Sequence, residues 1–184
     1  MIAVAYDVPI PGYKTKTTIN LRLWSTKVAY ENFDLGAFNA GDHPKAYAAI
    51  KTAEKMCYVL YPGDESVEGK MLRLKQQYTL CSASLQDIIA RFEKRSGEPV
   101  LWEKFPKKVA VHMNDTHPTL CIPQLIRILI DVKGLSWNEA WKITRSVLMK
   151  HFGWQSHSKR IYNYGVCTDV LYRQLSTLNS FLDN

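Results

Sequence analysis

The stretch Val109-Ala-Val-His-Met-Asn-Asp-Thr-His-Pro118 decides the fold class. Residues 109–113 read as a strand, and the Asn-Asp-Thr-His-Pro that follows is turn chemistry. Asn and Asp accept local backbone hydrogen bonds, and proline ends the strand. Before it, residues 68–95 read as one long helix, with Leu72, Gln76, Leu80, Leu85, Ile88, Ile89 and Phe92 at helical spacing. Basic Arg91, Lys94 and Arg95 suit that helix's C-terminal end, and Gly97 suits its cap. After it, Pro123 opens a helix through Val132 with Gly134 beyond. Ser136-Trp-Asn-Glu139 is a capping box for one more helix, with Trp137, Ala140 and Trp141 expected to face inward.

Working outward, residues 2–6 predict a buried strand and Asp7 to Tyr13 a proline-rich turn. Residues 17–24 alternate with period two, predicting a half-buried strand with Ile19, Leu21 and Leu23 on one face. Residues 33–41 predict a short helix or loop, and Pro44 fits the first turn of a helix running to about Leu60. Residues 98–108 predict a loop. Strands alternating with helices make the class α/β. A weak helix over 168–178 is the last element expected.

The chain has 184 residues, 46% hydrophobic and 22% charged, so a packed core is expected rather than disorder. No apolar run reaches the ~18 residues of a membrane helix, and the start carries no secretory or transit signal. The net charge of +7 is uneven: residues 1–144 hold 19 basic and 15 acidic side chains, residues 145–184 hold 5 and 2. Basic residues interleaved with acids along helices predict solvated faces rather than a nucleic-acid footprint. Cys57, Cys81, Cys121 and Cys167 form no Cys-x-x-Cys pair, which predicts small buried thiols and no metal site.

Two acidic loops are candidates for chemistry. Asp64 sits in Tyr-Pro-Gly-Asp-Glu-Ser between two helices. Asp115 and His117 follow a strand's carboxyl end, where ligands gather in open α/β sheets. On spacing alone, turn and helix-capping chemistry accounts for both loops more simply than a functional role does. There is no Gly-x-Ser-x-Gly elbow, GxGxxG, P-loop or HExxH.

Six segments together resemble the glycogen/starch (α-1,4-glucan) phosphorylases. They are Tyr6-Asp-Val-Pro-Ile-Pro-Gly-Tyr13, Leu21-Arg-Leu-Trp24, Leu60-Tyr-Pro-Gly-Asp64, Glu68-Gly-Lys-Met-Leu-Arg-Leu-Lys-Gln-Gln-Tyr78, Leu85-Gln-Asp-Ile-Ile89 and Asn114-Asp-Thr-His-Pro118. They stand in the family's order and spacing from residue 3 to about 144. The wording of Tyr78-Thr-Leu-Cys-Ser-Ala-Ser-Leu85 and Thr119-Leu-Cys-Ile-Pro123 is most similar to the plant plastid-type form.

The resemblance implies a partial Rossmann-like (GT-B type) N-terminal domain over 1–144, an incomplete sheet with long helices. A non-homologous tail, poorly ordered or weakly helical, is expected over 145–184. It implies phosphorolysis of terminal α-1,4-linked glucose to glucose 1-phosphate with retention. In the full-length family, pyridoxal phosphate is the cofactor, α-glucan and inorganic phosphate are the substrates, and the enzyme is a homodimer. No nucleic-acid or membrane partner is implied, and the expected location is plastid or cytoplasm. Residue by residue, Asp64 matches the acid of a mobile gate loop over the catalytic cleft. Asp115 matches the acid that orients an active-site histidine. Arg91 matches one of two arginines that hold an effector phosphate in animal members, with Ala90 in the other place.

The departures lie downstream. Where the family continues into Thr-Asn-His-Thr-Val-Leu-Pro, this chain reads Arg145-Ser-Val-Leu-Met-Lys-His151, so the histidine that Asp115 would orient is missing. The resemblance also leaves out the C-terminal domain with its cofactor lysine. His112 and Gln124 stand where related sequences usually have Gln and Glu. The expectation is a truncated fragment that is inactive alone; the alternative is a non-catalytic module that binds glucan or an intact phosphorylase subunit.

Overall fold

The computed structural model describes residues 1–29, 33–113 and 117–148. The chain divides into two compact units, one ending at Leu80 and one beginning at Cys81.

The first unit opens on a hairpin. Strand β1 (Ile2–Pro11) pairs antiparallel with β2 (Thr18–Lys27), in register from Ile2 opposite Lys27 to Pro11 opposite Thr18. The turn is closed by the Gly12 N–H donating to the Thr17 carbonyl at 2.9 Å. The strand expected over 2–6 therefore runs straight through the segment expected to be a turn. Two strands have only edges, and an edge strand tolerates Pro9 and Pro11. One face pairs Tyr6 with Leu23, Val8 with Leu21 and Ile10 with Ile19. These six side chains are 44% to 62% exposed. The alternation expected over 17–24 forms, but β1 and the Ile19, Leu21, Leu23 face are exposed rather than buried, because no other described element covers them. A helix over Ala48–Tyr58 meets the opposite face, where the Thr26 hydroxyl donates to the Ala53 carbonyl at 2.6 Å.

Short helices follow. The Asp34 side chain caps α1 (Leu35–Asn39), and Asp42 caps α2 (His43–Ala46), which carries Pro44 in its first turn. Then α3 (Ala48–Tyr58) leads to the long α4 (Val67–Ser96). Gly97, at φ +69°, ends α4 as the sequence predicts, with its N–H on the Glu93 carbonyl at 3.2 Å.

The second unit is helical. Leu85, Ile89 and Phe92 of α4 are buried at successive turns. Residues 98–108 are not the loop expected: a 3-10 turn (Trp102–Lys104) runs into α5 (Phe105–Lys108). Phe105 is 0% exposed, its ring 4.9 Å from Phe92 and 5.9 Å from Trp102. A second 3-10 turn (His117–Leu120) leads into α6 (Cys121–Arg127), whose residues 121–126 are all buried. A π-helical turn (Ile128–Val132) follows, and Gly134 at φ +72° closes it. The capping box forms as expected: the Ser136 N–H donates to Glu139 at 3.1 Å, and the Glu139 N–H to the Ser136 hydroxyl at 3.4 Å. It starts α7 (Trp137–Leu148), which buries Ala140, Ile143, Thr144, Val147 and Leu148. Trp137 is exposed rather than inward-facing, and Trp141 is half-buried.

The strand expected over 109–113 does not form. A strand exists only with a ladder partner, and the Val111 N–H instead donates to the Val147 carbonyl at the end of α7, at 3.2 Å. Among the described residues the strands are β1 and β2 alone, consecutive and antiparallel, with the helices after them. The architecture is thus mixed helix with a small two-stranded sheet, not strands alternating with helices. The boundary expected at residue 144 falls inside α7. The helix expected over 168–178 lies outside the described residues.

Candidate functional site

The loop between α3 and α4 carries Asp64. Helix α3 stops because Val59 turns extended (φ −130°, ψ 116°). Tyr61 then takes a left-handed conformation (φ +56°) ahead of Pro62, uncommon for a residue with a side chain. The loop ends where the Ser66 hydroxyl accepts the Gly69 N–H at 3.0 Å, and α4 begins. Ser66, not Asp64, therefore caps α4. Asp64 makes an ion pair with Arg73 one turn further along the helix, at 3.2 Å. Their side chains are 58% and 30% exposed, and such a pair contributes at most about 1 kcal/mol. The Arg73 guanidinium also lies 5.8 Å from the centre of the Tyr61 ring, within cation–π range.

Sequence reasoning missed the groups under this loop. Gln76 lies on the apolar stripe of α4 and is 2% exposed. A buried amide must find partners, and this one does. Its side-chain nitrogen donates to the Val59 carbonyl at 2.7 Å and the Lys55 carbonyl at 3.4 Å, and its oxygen accepts the Tyr61 N–H at 3.3 Å. A Cβ on Gly69 would stand 2.1 Å from the Gly63 carbonyl oxygen, so only glycine allows the loop this close to the helix. The signal for Gln76 was available: a polar residue on a buried stripe.

The other candidates lie in the second unit. Arg91 is half-exposed and ion-paired with Asp87, one turn earlier on α4. Asp115 lies outside the described residues. His117, whose residue opens the 3-10 turn before α6, is half-buried. Cys81 and Cys121 are buried, and Cys57 is half-buried. The Cys121 thiol is pushed up by its hydrogen bond to Cys81 and by burial, and Cys81 also donates to the Pro118 carbonyl at 3.7 Å. Glu139 is held below the usual carboxylate range by the hydroxyl and N–H of Ser136. Among the described residues, no group of three His, Cys, Asp or Glu is placed to hold a metal ion, and no helix is long and apolar enough to cross a membrane.

The carbohydrate phosphorylase family profile matches residues 1–158. The chain belongs to that family. Among its phosphorylase relatives, the chloroplastic/amyloplastic α-1,4 glucan phosphorylase L-2 isozyme of Solanum tuberosum is 81% identical over 143 residues, 78% of this chain. The L isozyme of Ipomoea batatas, also chloroplastic/amyloplastic, is 79% identical over 145 residues. The cytosolic α-glucan phosphorylase 2 of Arabidopsis thaliana is 58% identical over 144 residues. The chain spans 15% of the length of the potato phosphorylase. The expected phosphorylase membership and plastid-type likeness are both borne out.

Proposed function

We propose that this chain is part of the Rossmann-like (GT-B type) N-terminal domain of a plastid-type α-1,4-glucan phosphorylase. That enzyme class moves the terminal glucose of starch or glycogen onto inorganic phosphate with retention. The observation that carries this reading is the state of Asp64. It is not spent on capping, it stands half-exposed on a loop braced against α4, and among the described residues a single ion pair at 3.2 Å holds its carboxylate. That suits an acid on a gate. A carboxylate about 5 Å from an incoming phosphate would cost roughly 3 kcal/mol at an effective dielectric of ~20, so swinging it in or out gates phosphate entry. Asp115 would position a histidine that this chain does not encode. Arg91, occupied by Asp87, is the remnant of an effector phosphate site.

Pyridoxal phosphate needs a lysine that sheds its proton in a desolvated pocket. Every described lysine is exposed except Lys75 and Lys133, which are half-buried, and Lys133 is ion-paired with Glu93 at 2.7 Å. The described residues do not fit the cofactor, and no step is assigned to it. Glucan, phosphate and a second subunit would engage a full-length enzyme, placed in the plastid by likeness to the potato and sweet-potato isozymes. The chain alone is expected to release no glucose 1-phosphate from amylopectin and phosphate, with or without added cofactor. Glucan-dependent release would sink that expectation.

A second reading rests on the exposed hairpin face of Tyr6, Val8, Ile10, Ile19, Leu21 and Leu23. A contiguous apolar face of this kind seeks a partner, which favours a non-catalytic module docking on glucan or on an intact phosphorylase. Co-sedimentation with amylopectin and pull-down by the intact enzyme test it; binding to neither removes it.

A further inference from the structure

We infer that Gln76 is the positioning residue of the gate loop, acting through backbone rather than through Asp64 itself. The inference rests on the gate reading of Asp64. One buried side chain grips both ends of the segment that aims the loop. Its nitrogen holds the Lys55 carbonyl in the last turn of α3 and the Val59 carbonyl just past its end, and its oxygen holds the Tyr61 N–H. Tyr61 is the residue whose left-handed φ of +56° turns the chain toward Asp64. A left-handed non-glycine residue persists only when its surroundings over-determine it, and the amide supplies that constraint. At the far end, Gly69 lets the Gly63 carbonyl settle where a methyl group would overlap it at 2.1 Å. Between these two supports Asp64, among the described residues, has the Arg73 ion pair alone. The loop thus has firm ends and a loosely latched acid, the construction a gate needs. Arg73 is the latch, and Gln76 with Gly69 is the hinge seat.

Gln76→Met keeps the side-chain length and removes all three bonds. Hydrogen exchange on the full 184-residue chain should show the Tyr61 amide, which donates to Gln76, exchanging about five- to tenfold faster, the factor one net hydrogen bond carries. The amides of 140–148 should be unchanged, which separates loop release from general loosening. Gln76→Glu keeps the acceptor and should restore part of the Tyr61 protection. Gly69→Ala disturbs the other support without touching Gln76 and should speed the amides of residue 69 and Lys70, which donate to Ser66. Unchanged amides at these positions in both Gln76→Met and Gly69→Ala would overturn the clamp. A separate arm tests the reading beneath it. Residues 60–78 of this chain replace the matching segment of the full-length potato L-2 isozyme, with and without Gln76→Met. The expected result is a shift of about threefold or more in the phosphate KM with the glucan KM unmoved. Loop amides released in the chain with no change in phosphate KM would overturn the gate role and leave the clamp standing.

Discussion

Thr144 offers a stability test whose sign runs against the usual expectation for a core substitution. It lies on α7 at 0% exposure, and its hydroxyl oxygen is enclosed with no hydrogen-bond partner among the described residues. A helical threonine commonly donates to the carbonyl one turn back; this one does not. A hydroxyl taken from water without a new bond costs about 1–3 kcal/mol. Valine has the same branched shape, similar helix propensity and nothing to satisfy. Thr144→Val should therefore stabilise the second unit by about 1–2 kcal/mol, partly offset by any strain in seating a methyl group where an oxygen stood. Thr144→Ala separates the contributions: it removes the orphan oxygen but also the packed methyl, so it should gain less or lose. Urea titration followed by circular dichroism reads both, as a rise in the midpoint Cm with the slope m unchanged. A Thr144→Val variant less stable by about 1 kcal/mol or more, at unchanged m, would refute the reasoning. It would mean that the hydroxyl has a partner.

Three further outcomes are expected. Phe105→Ala empties a fully buried position against Phe92 and Trp102 and should cost about 3–5 kcal/mol, read by the same titration; a loss under about 1 kcal/mol would show that the site collapses freely. The Glu139 carboxyl, held low by Ser136, favours the folded cap above its unfolded pKa, and that contribution fades as pH falls through the folded pKa. Carboxyl NMR titration should show Ser136→Ala moving the Glu139 midpoint upward; an unmoved midpoint refutes the cap's electrostatics. The raised Cys121 thiol holds little thiolate at pH 8. Alkylation with peptide mapping should label half-buried Cys57 well before Cys121, and equal rates would count against the buried pair.

Local rules carried much of the helical reading. The long α4 followed from its apolar spacing, its basic end and Gly97. The start of α7 followed from Ser136 and Glu139, which satisfy each other's backbone within four residues. Both succeed because helix hydrogen bonds and caps are made between near neighbours in the chain. The strand expected over 109–113 failed for the opposite reason. Its ladder partner must come from distant sequence, and the backbone there leans on α7 instead. Hairpin alternation was legible, but which face would be covered was not, since covering is done by another element.

The candidate site divides in the same way. Asp64 and its Tyr-Pro-Gly-Asp setting were legible as a motif, and family membership was legible from six segments in order. Whether Asp64 caps α4 or stands free of that duty was not, because Ser66 competes for the same N–H and wins by position. Gln76, which helical spacing sets among the apolar residues of α4, is a three-bond clamp. The amino-acid sequence alone determined the family, the end of α4, the start of α7 and the acid on the loop, because these rest on short-range chemistry written in consecutive residues. Only the tertiary structure decided that the hairpin face lies open, that residues 109–113 form no strand, and that a buried glutamine aims the loop. Each of those depends on which distant backbone carbonyl, amide or side chain arrives to complete a hydrogen bond or close off water.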